Sequence, residues 1–402
     1  MIKLKEAYEI VAGEVGSRRF ETENVPLNKA ANRITAEDIL SPIDLPPFDK
    51  SAMDGYAIPV GEFLDEYDID AIVAAGSFYG KPVPEGHCVK IMTGAPVPEG
   101  IARVVMWEHT EESEERIKIK RKSSKSNICR KGEDLKKGEV LCPEGTILSP
   151  LALANVSLGG VRNVNVAVRP TAAVFSTGDE LLPAGTPITS GKIYDSNGPM
   201  INALLNDMGI PVAFTGHLPD KLDETVEGLR KGLDAADVVI LSGAVSKGDY
   251  DCLPEAFRLC GLEIQFDEIA VKPGKPTTFA ISENNVVFGL PGNPVSSFLM
   301  FHLFVRPMLY MMQGYMNHPR VFKCRLKNDV NSKKNERDRF IPVQLDIDGY
   351  AIPIEYHGSG HLTALSRADG FLEIESGVTF IPAGEPAPFL PFMMRPYLGS
   401  EV

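Results

Sequence analysis

The stretch from Val238 to Pro294 constrains the fold more than any other part of the chain. An apolar strand, Val238-Val239-Ile240-Leu241, runs into a loop, Ser242-Gly243-Ala244-Val245-Ser246-Lys247-Gly248-Asp249-Tyr250-Asp251. A helical segment and a second strand follow, then Val271-Lys272-Pro273-Gly274-Lys275-Pro276. A third strand, Val286 to Leu290, ends in the turn Pro291-Gly292-Asn293-Pro294. Three strand ends thus carry glycines, lysines and aspartates into loops. In an open α/β sheet such loops gather at the carboxyl edge, where ligands bind.

The chemistry of these loops suits an oxyanion or a phosphorylated ligand. Glycines let backbone N–H groups come close to anion oxygens, and a helix starting after the loop adds its positive dipole end. Lys272 and Lys275, separated by Pro273 and Gly274, form a short stiff cationic clamp, and Asp249 and Asp251 offer oxygen ligands to a divalent cation. Any one of these loops, taken alone, reads equally well as a turn with solvated charges. Three of matching chemistry at successive strand ends favour a site.

The flanking pattern supplies the rest of the sheet. Strand Ala172 to Phe175, helix Pro199 to Met208, strand Val212 to Gly216 and helix Leu222 to Leu233 alternate up to Val238, which predicts a parallel sheet with crossover helices. Upstream, Leu4, Ala7, Tyr8 and Val11 mark a helix over 3–15, and a second amphipathic piece covers Leu27 to Ile39. Residues 71–139 read as β-rich, with a strand Arg103 to Trp107 and a half-buried hairpin strand Arg116 to Lys120. Thr146 to Val161 reads as helical, returning the chain to its N-terminal region. Phe298 to Met312 reads as a buried helix. Residues 320–402 carry short strands (Val321 to Leu326, Arg339 to Leu345, Phe371 to Ile374) that predict a small β-barrel or sandwich. Gly185 to Lys192 does not meet the spacing of a phosphate-binding P-loop.

At 402 residues the chain is too long for one ordinary core and predicts two to four domains. Its net charge of -13 argues against nucleic-acid binding, so an anionic ligand needs locally concentrated cations. Six cysteines without a C-x-x-C pair read as reduced cytoplasmic thiols. No apolar signal segment is evident. The run 298–312, interrupted by His302, Arg306 and Pro307, is too short to cross a bilayer, and no membrane association is expected.

Further motifs then give the chain a resemblance. Ser51-Ala52-Met53-Asp54-Gly55-Tyr56-Ala57, Ile91-Met92-Thr93-Gly94-Ala95-Pro96-Val97-Pro98-Glu99-Gly100, Gly132-Glu133-Asp134, Ser176-Thr177-Gly178-Asp179-Glu180-Leu181, Gly248-Asp249-Tyr250-Asp251, the KPGKP at 272–276 and the GLPGNP at 289–294 follow one another in order. Together they span essentially the whole chain and resemble the molybdopterin molybdenumtransferase family, whose module the scaffold protein gephyrin shares. Composition alone reads 44–57 as a linker; the resemblance makes it a site. Two departures stand out: Cys129 where the family usually has arginine, and Ala244 where it typically has glycine.

The resemblance implies a multidomain α/β plus β protein. A central, mostly parallel three-layer α/β domain would cover 170–314, with a β-rich lid at 51–136. Residues 1–50 with 137–169 would form a helical and extended dimerisation domain, and 315–402 a β-barrel-like domain. The implied activity is insertion of molybdenum from molybdate into adenylylated molybdopterin, releasing AMP. The implied catalytic set is Asp54, Thr93, Asp134, Glu180, Asp220, Asp249, Lys272 and Lys275, with Mg2+ held at Glu180 and Asp249 near Asp220 and Asp134. Substrate phosphates would lie near Ser242, Gly243 and the turn Pro291-Gly292-Asn293-Pro294, with Ser176, Thr177, Gly178 and Pro276 adding to the surface. Lys272, Lys275, Arg337 and Ser359 would hold molybdate. A homodimer is implied, Asp54 and Thr93 reaching the partner's cleft, with the molybdopterin adenylyltransferase as a further partner. Tungsten insertion at the same site and a non-catalytic gephyrin-like scaffold are the alternatives.

Overall fold

The computed structural model describes residues 1–16, 20–61, 63–243, 252–315, 322–332 and 336–392. The chain divides into two compact units, 1–22 with 167–402, and 23–166.

The first unit is built on one sheet. Its strands are Ala172–Thr177 (β1), Val212–Leu218 (β2), Val238–Ser242 (β3), Glu263–Glu268 (β4), Pro276–Ile281 (β6) and Val286–Leu290 (β7); the short Val271–Lys272 (β5) belongs elsewhere. The order across the sheet is β2-β1-β3-β7-β6-β4. Strands β2, β1, β3 and β7 are parallel, while β6 runs antiparallel to both β7 and β4. Strand β4 therefore points the same way as the parallel four, and its loop to β6, which carries Lys272 and Lys275, emerges at the carboxyl edge.

Helices cover both faces, which is why the central strands β1, β3 and β7 are buried throughout, while the edge strands β2 and β4 are not. Ala172, Val174, Val238 and Ile240 pack with Ala7, Val11 and Val15 of helix Leu4–Gly16 (α1) and with Ile201 and Leu205 of helix Asn197–Asp207 (α2). Ala173, Phe175, Val239 and Leu241 face Leu229 of helix Leu222–Ala235 (α3) and Phe257 of helix Leu253–Leu259 (α4). Each large side chain buried here contributes about 1.5–3 kcal/mol.

Helix α1 belongs to this core, although the sequence reading grouped it with 137–169. Its stripe Ala7, Val11 and Val15 repeats every four residues and is fully buried against the sheet, and Ile2 bridges to Ile269.

The apolar run 298–312 is buried, but it is not one regular helix. Pro294–Met300 is α-helical, Phe301–Val305 is a π-helical turn, and Arg306–Met311 is α-helical again. Pro307 has no N–H to donate to the preceding turn, which locates the break.

In the C-terminal part, Phe322–Arg325, Asp338–Leu345 (β8), Gly370–Ile374 and Pro386–Pro391 form a sheet whose edge is β5. Strands β5 and β8 run parallel, with Val271 opposite Asp338 and Lys272 opposite Arg339.

The second unit contains a six-stranded sheet in the order Ile101–Met106, Gly55–Pro59, His87–Ile91, Glu66–Val73, Arg116–Ile119, Thr110–Ser113. The last two strands are the expected charged hairpin, with Glu111 opposite Lys118 and the Lys120 ammonium 3.2 Å from Glu111. A second core joins Val25, Ala30 and Ile39 to Leu148, Val156 and Val164. The helix expected over 146–161 spans Pro150–Leu158, and the Ser149 hydroxyl accepts from the Ala152 N–H at 3.3 Å.

The amphipathic piece at 27–39 is not helical beyond a 3-10 turn at Leu27–Lys29. Asn32 takes a φ of 59°, and Ile34 and Thr35 bridge in extended form to Ile147 and Val166. Those tertiary pairings override a local pattern that fitted a helix. No helix among the described residues is long and apolar enough to cross a membrane.

Candidate functional site

Strands β2 and β3 lie on opposite sides of β1, so the chain reverses direction across the sheet at the carboxyl ends of β1 and β3. A crevice opens at such a switch point. Ser176 and Ser242 stand in register at the carboxyl ends of the two strands. Beyond them Gly178 (φ 128°) and Gly243 (φ 103°) turn the chain in a region that side chains avoid. A Cβ on Gly243 would lie 2.6 Å from both the carbonyl oxygen and the hydroxyl of Thr177. The Gly243 N–H donates to the Leu290 carbonyl at 3.0 Å, and a Cβ on Gly292 would lie 3.5 Å from the Gly243 Cα, so the loops after β1, β3 and β7 meet here.

Several polar side chains of the crevice are committed to holding it together. The buried Ser176 hydroxyl donates to Asp195 at 2.5 Å, and the other oxygen of that carboxylate accepts from the Gly198 N–H at 3.0 Å, inside the first turn of α2. The Thr177 hydroxyl donates to the Ser242 carbonyl at 3.2 Å, and the Asn197 amide donates to the Gly292 carbonyl at 2.7 Å. Two buried atoms, the Ser242 hydroxyl and the Asn197 amide oxygen, have no protein partner among the described residues. What the crevice offers a ligand is main chain together with these two groups.

The turn Pro291-Gly292-Asn293 also borders a second space. A basin of about 450 Å³ is lined by Lys272, Lys275, Pro276, Pro291, Asn293, Arg337 and Ser359, all expected from the sequence, and by Ser296, Arg339 and Tyr356, which were not. Four cationic side chains thus converge from two segments about sixty residues apart, and among the described residues no carboxylate lines the space. Lys275 is anchored by Glu268 at 3.0 Å, and the Val295 N–H donates to the Ser359 carbonyl at 3.2 Å, tying the serine loop to the start of helix Pro294–Met300. The Tyr356 hydroxyl is buried without a partner among the described residues; burial pushes its pKa up to about 12, Arg339 pulling against the rise. Arg339 was detectable in principle, as a second cation two residues after Arg337 that opens the strand expected over 339–345. No local pattern marked Tyr356.

The acidic residues expected here are distributed differently. Glu180 and Asp220 are exposed at this edge, and the Glu180 carboxylate folds back over Gly178. The Asp179 and Asp220 side chains each accept from the other's N–H at 3.3 Å. Asp249, like Ala244, lies outside the described residues. Among the described residues no three acidic, His or Cys groups gather as a metal site. The oxygen donors of Glu180 are of the hard type that magnesium takes.

In the other unit, one Asp54 oxygen accepts from both the N–H (2.7 Å) and the hydroxyl (2.9 Å) of Thr93, which hold its carboxyl below the usual range. The turn carrying it is a built element: Gly55 presses on the Val105 carbonyl, which a Cβ would meet at 2.1 Å, and Ser51 exchanges backbone hydrogen bonds with 94–95. Asp134 is exposed, its N–H donating to the Leu45 carbonyl at 3.0 Å. Cys129 lies opposite Lys50 in a short antiparallel pair, and Arg130, the next cation along, is taken up by Asp49 at 2.6 Å, so its fork serves the turn.

Three family models match the chain: the MoeA N-terminal region (domains I and II) over 2–160, a probable molybdopterin binding domain over 173–310, and the MoeA C-terminal region (domain IV) over 323–392. A molybdopterin molybdenumtransferase of Staphylococcus aureus is 35% identical over 395 residues, covering 95% of this chain and 94% of that protein. One of Staphylococcus epidermidis is 34% identical over 398 residues, covering 95% and 94%. The crystal structure of a molybdopterin biosynthesis MoeA protein from Pyrococcus horikoshii matches with a TM-score of 0.82 at 31% identity, over 98% of this chain and 100% of that one.

Proposed function

The chain belongs to the molybdopterin molybdenumtransferase family, and we propose that it moves molybdenum from molybdate into adenylylated molybdopterin with release of AMP. The observation that carries this reading is the convergence of Lys272, Lys275, Arg337 and Ser359 on one basin that shares the 291–293 turn with a main-chain crevice.

A tetrahedral dianion placed in the basin meets ammonium, guanidinium and hydroxyl donors, and charge-assisted hydrogen bonds are about twice as strong as neutral ones. The crevice takes the phosphate-bearing end of the pterin. There Gly178, Gly243 and the turn Pro291 to Pro294 present backbone, Ser242 offers a hydroxyl, and Ser176 and Thr177 brace the strand ends. Holding oxyanion and pterin next to each other turns an encounter in solution into an effectively intramolecular step.

Glu180 with Asp249, near Asp220, would hold the magnesium ion, which supplies neutralisation of phosphate charge. In this reading the protein is a cytoplasmic homodimer that receives its substrate from the molybdopterin adenylyltransferase. A second copy supplies Asp54, aimed by Thr93, and Asp134 would join the carboxylates around the magnesium ion. The four-part division at 50/51, 136/137, 169/170 and 314/315 is retained, with α1 assigned to the α/β domain.

The test is AMP release from adenylylated molybdopterin in the presence of molybdate. Lys275→Ala and Asp54→Ala are each expected to stay folded and dimeric and to lose at least about 100-fold in rate, the scale for removing one preorganised electrostatic group. Wild-type turnover in either variant removes that residue from the catalytic set.

A further inference from the structure

We infer that Arg339 is a specificity residue of the basin: with Lys272 it forms a cross-strand pair of cations that makes the basin select tetrahedral dianions over monoanions of the same shape. The inference deepens the reading of this basin as an oxyanion site.

The pairing is set by strand register. Strands β5 and β8 run parallel with Lys272 opposite Arg339, and both side chains line the basin. Like charges directly opposite each other destabilise a sheet, and a half-buried arginine ordinarily finds a carboxylate. Among the described residues neither side chain has one: Arg339 donates only to the Ser332 hydroxyl, at 3.3 Å, and Lys272 forms no ion pair. Lys275, in the same loop, is neutralised by Glu268 at 3.0 Å. Positive charge is thus balanced at one corner of the basin and left standing at the other.

The surroundings of the uncompensated corner are arranged for an anion. The polar groups lining the basin are hydroxyl, amide and cationic, with no carboxylate among the described residues, and the Tyr356 hydroxyl, buried and unpartnered among the described residues, is a donor in its protonated form. A ligand oxygen between Lys272 and Arg339 relieves the repulsion between them. The relief is larger for a ligand with two negative charges than for one with a single charge, because attraction scales with ligand charge.

The experiment titrates the full chain calorimetrically with molybdate and with perrhenate, a tetrahedral monoanion. Wild type is expected to prefer molybdate by about tenfold or more, the worth of one added hydrogen bond to a charged group. Arg339→Gln should weaken molybdate binding about tenfold or more while perrhenate binding falls by less, and Arg339→Lys, which keeps the charge, should recover most of the preference. In AMP-release assays the Gln variant should raise KM for molybdate with kcat retained.

The inference is overturned if Arg339→Gln keeps the wild-type ratio, if it loses both anions equally, or if wild type shows no preference or binds neither anion. The two readings separate cleanly. AMP release that is abolished in Lys275→Ala and normal in Arg339→Gln keeps the transferase and discards the Arg339 role. Dianion selectivity that depends on Arg339, in a chain that releases no AMP, does the reverse.

Discussion

The crevice at the ends of β1 and β3 and the cationic basin beside it share the 291–293 turn, yet they are made of different material. In the crevice the side chains are largely spent inside the protein, Ser176 on Asp195 and Thr177 on the Ser242 carbonyl, so that glycine backbone is what faces a ligand. In the basin glycine also shapes the loops, at Gly274 (φ 119°) and Gly358 (φ 121°), but the ligand-facing groups are long cationic side chains, of which Lys275 has an ion pair and Lys272 has none among the described residues. The first site is part of the fold and cannot be altered without strain. The second is mounted on the fold, and its side chains can be removed at little structural cost.

The sharpest way to break this contrast is a pair of substitutions. Gly243→Val puts a β-branched side chain at a φ of 103° and drives its Cβ to 2.6 Å from Thr177. A loss of about 3 kcal/mol or more in unfolding free energy is expected. Lys272→Gln, by contrast, should shift stability by less than about 0.5 kcal/mol, as surface changes do. Denaturant melts of both variants decide it, and equal losses would erase the distinction.

A smaller effect tests the scaffold behind both sites. His302 sits in the π-helical turn, its ring 4.5 Å from that of Phe298 and its Nε2 buried without a partner among the described residues; burial, reinforced by Arg306, lowers its pKa to about 3. The unfolded chain therefore binds a proton that the folded chain refuses. Stability contributed by the neutral ring is full above the ordinary histidine pKa of about 6.5. It falls as pH drops toward 3, by at most about 1.4 kcal/mol per unit. Replacing His302 with Phe should flatten the acid limb of a stability-versus-pH curve between pH 6 and 4, while an unchanged slope would assign that limb to other groups.

The smallest effect sharpens the account of the crevice. Ser176→Ala removes one of the two groups bonded to Asp195 and should cost about 1–2 kcal/mol, by leaving a carboxylate oxygen underused. Its AMP-release activity should fall far less than that of Lys275→Ala. A loss of activity matching Lys275→Ala, without a loss of stability, would make Ser176 a ligand contact and not a brace.

These two regions also differ in how far the amino-acid pattern reveals them. The glycines of the crevice stand at the ends of apolar runs, and local rules connect such glycines to strand-end turns, so Gly178, Gly243 and Gly292 could be picked out directly. The same rules could not tell that Ser176 and Thr177 are consumed internally, because Asp195 and the Ser242 carbonyl reach them only through the packed sheet and α2. In the basin, Lys272 and Lys275 were marked by their prolines and glycine. Arg339 and Tyr356 were not: Arg339 is notable for its pairing with Lys272, nearly seventy positions away, and Tyr356 for a hydroxyl that folding buries without a partner among the described residues.

Taken alone, then, the order of residues determined the alternation of strands and helices, the burial of both faces of the sheet, and the loops that carry the reactive side chains. All of these follow from hydrophobic period and turn chemistry within a few residues. The tertiary structure decided that Lys272 faces Arg339, that α1 joins the α/β core, and that 27–39 does not continue as a helix past Lys29. Those outcomes depend on strand register and on which apolar face finds a partner, and both are settled by contacts between segments far apart in the chain, whose energies no local pattern contains.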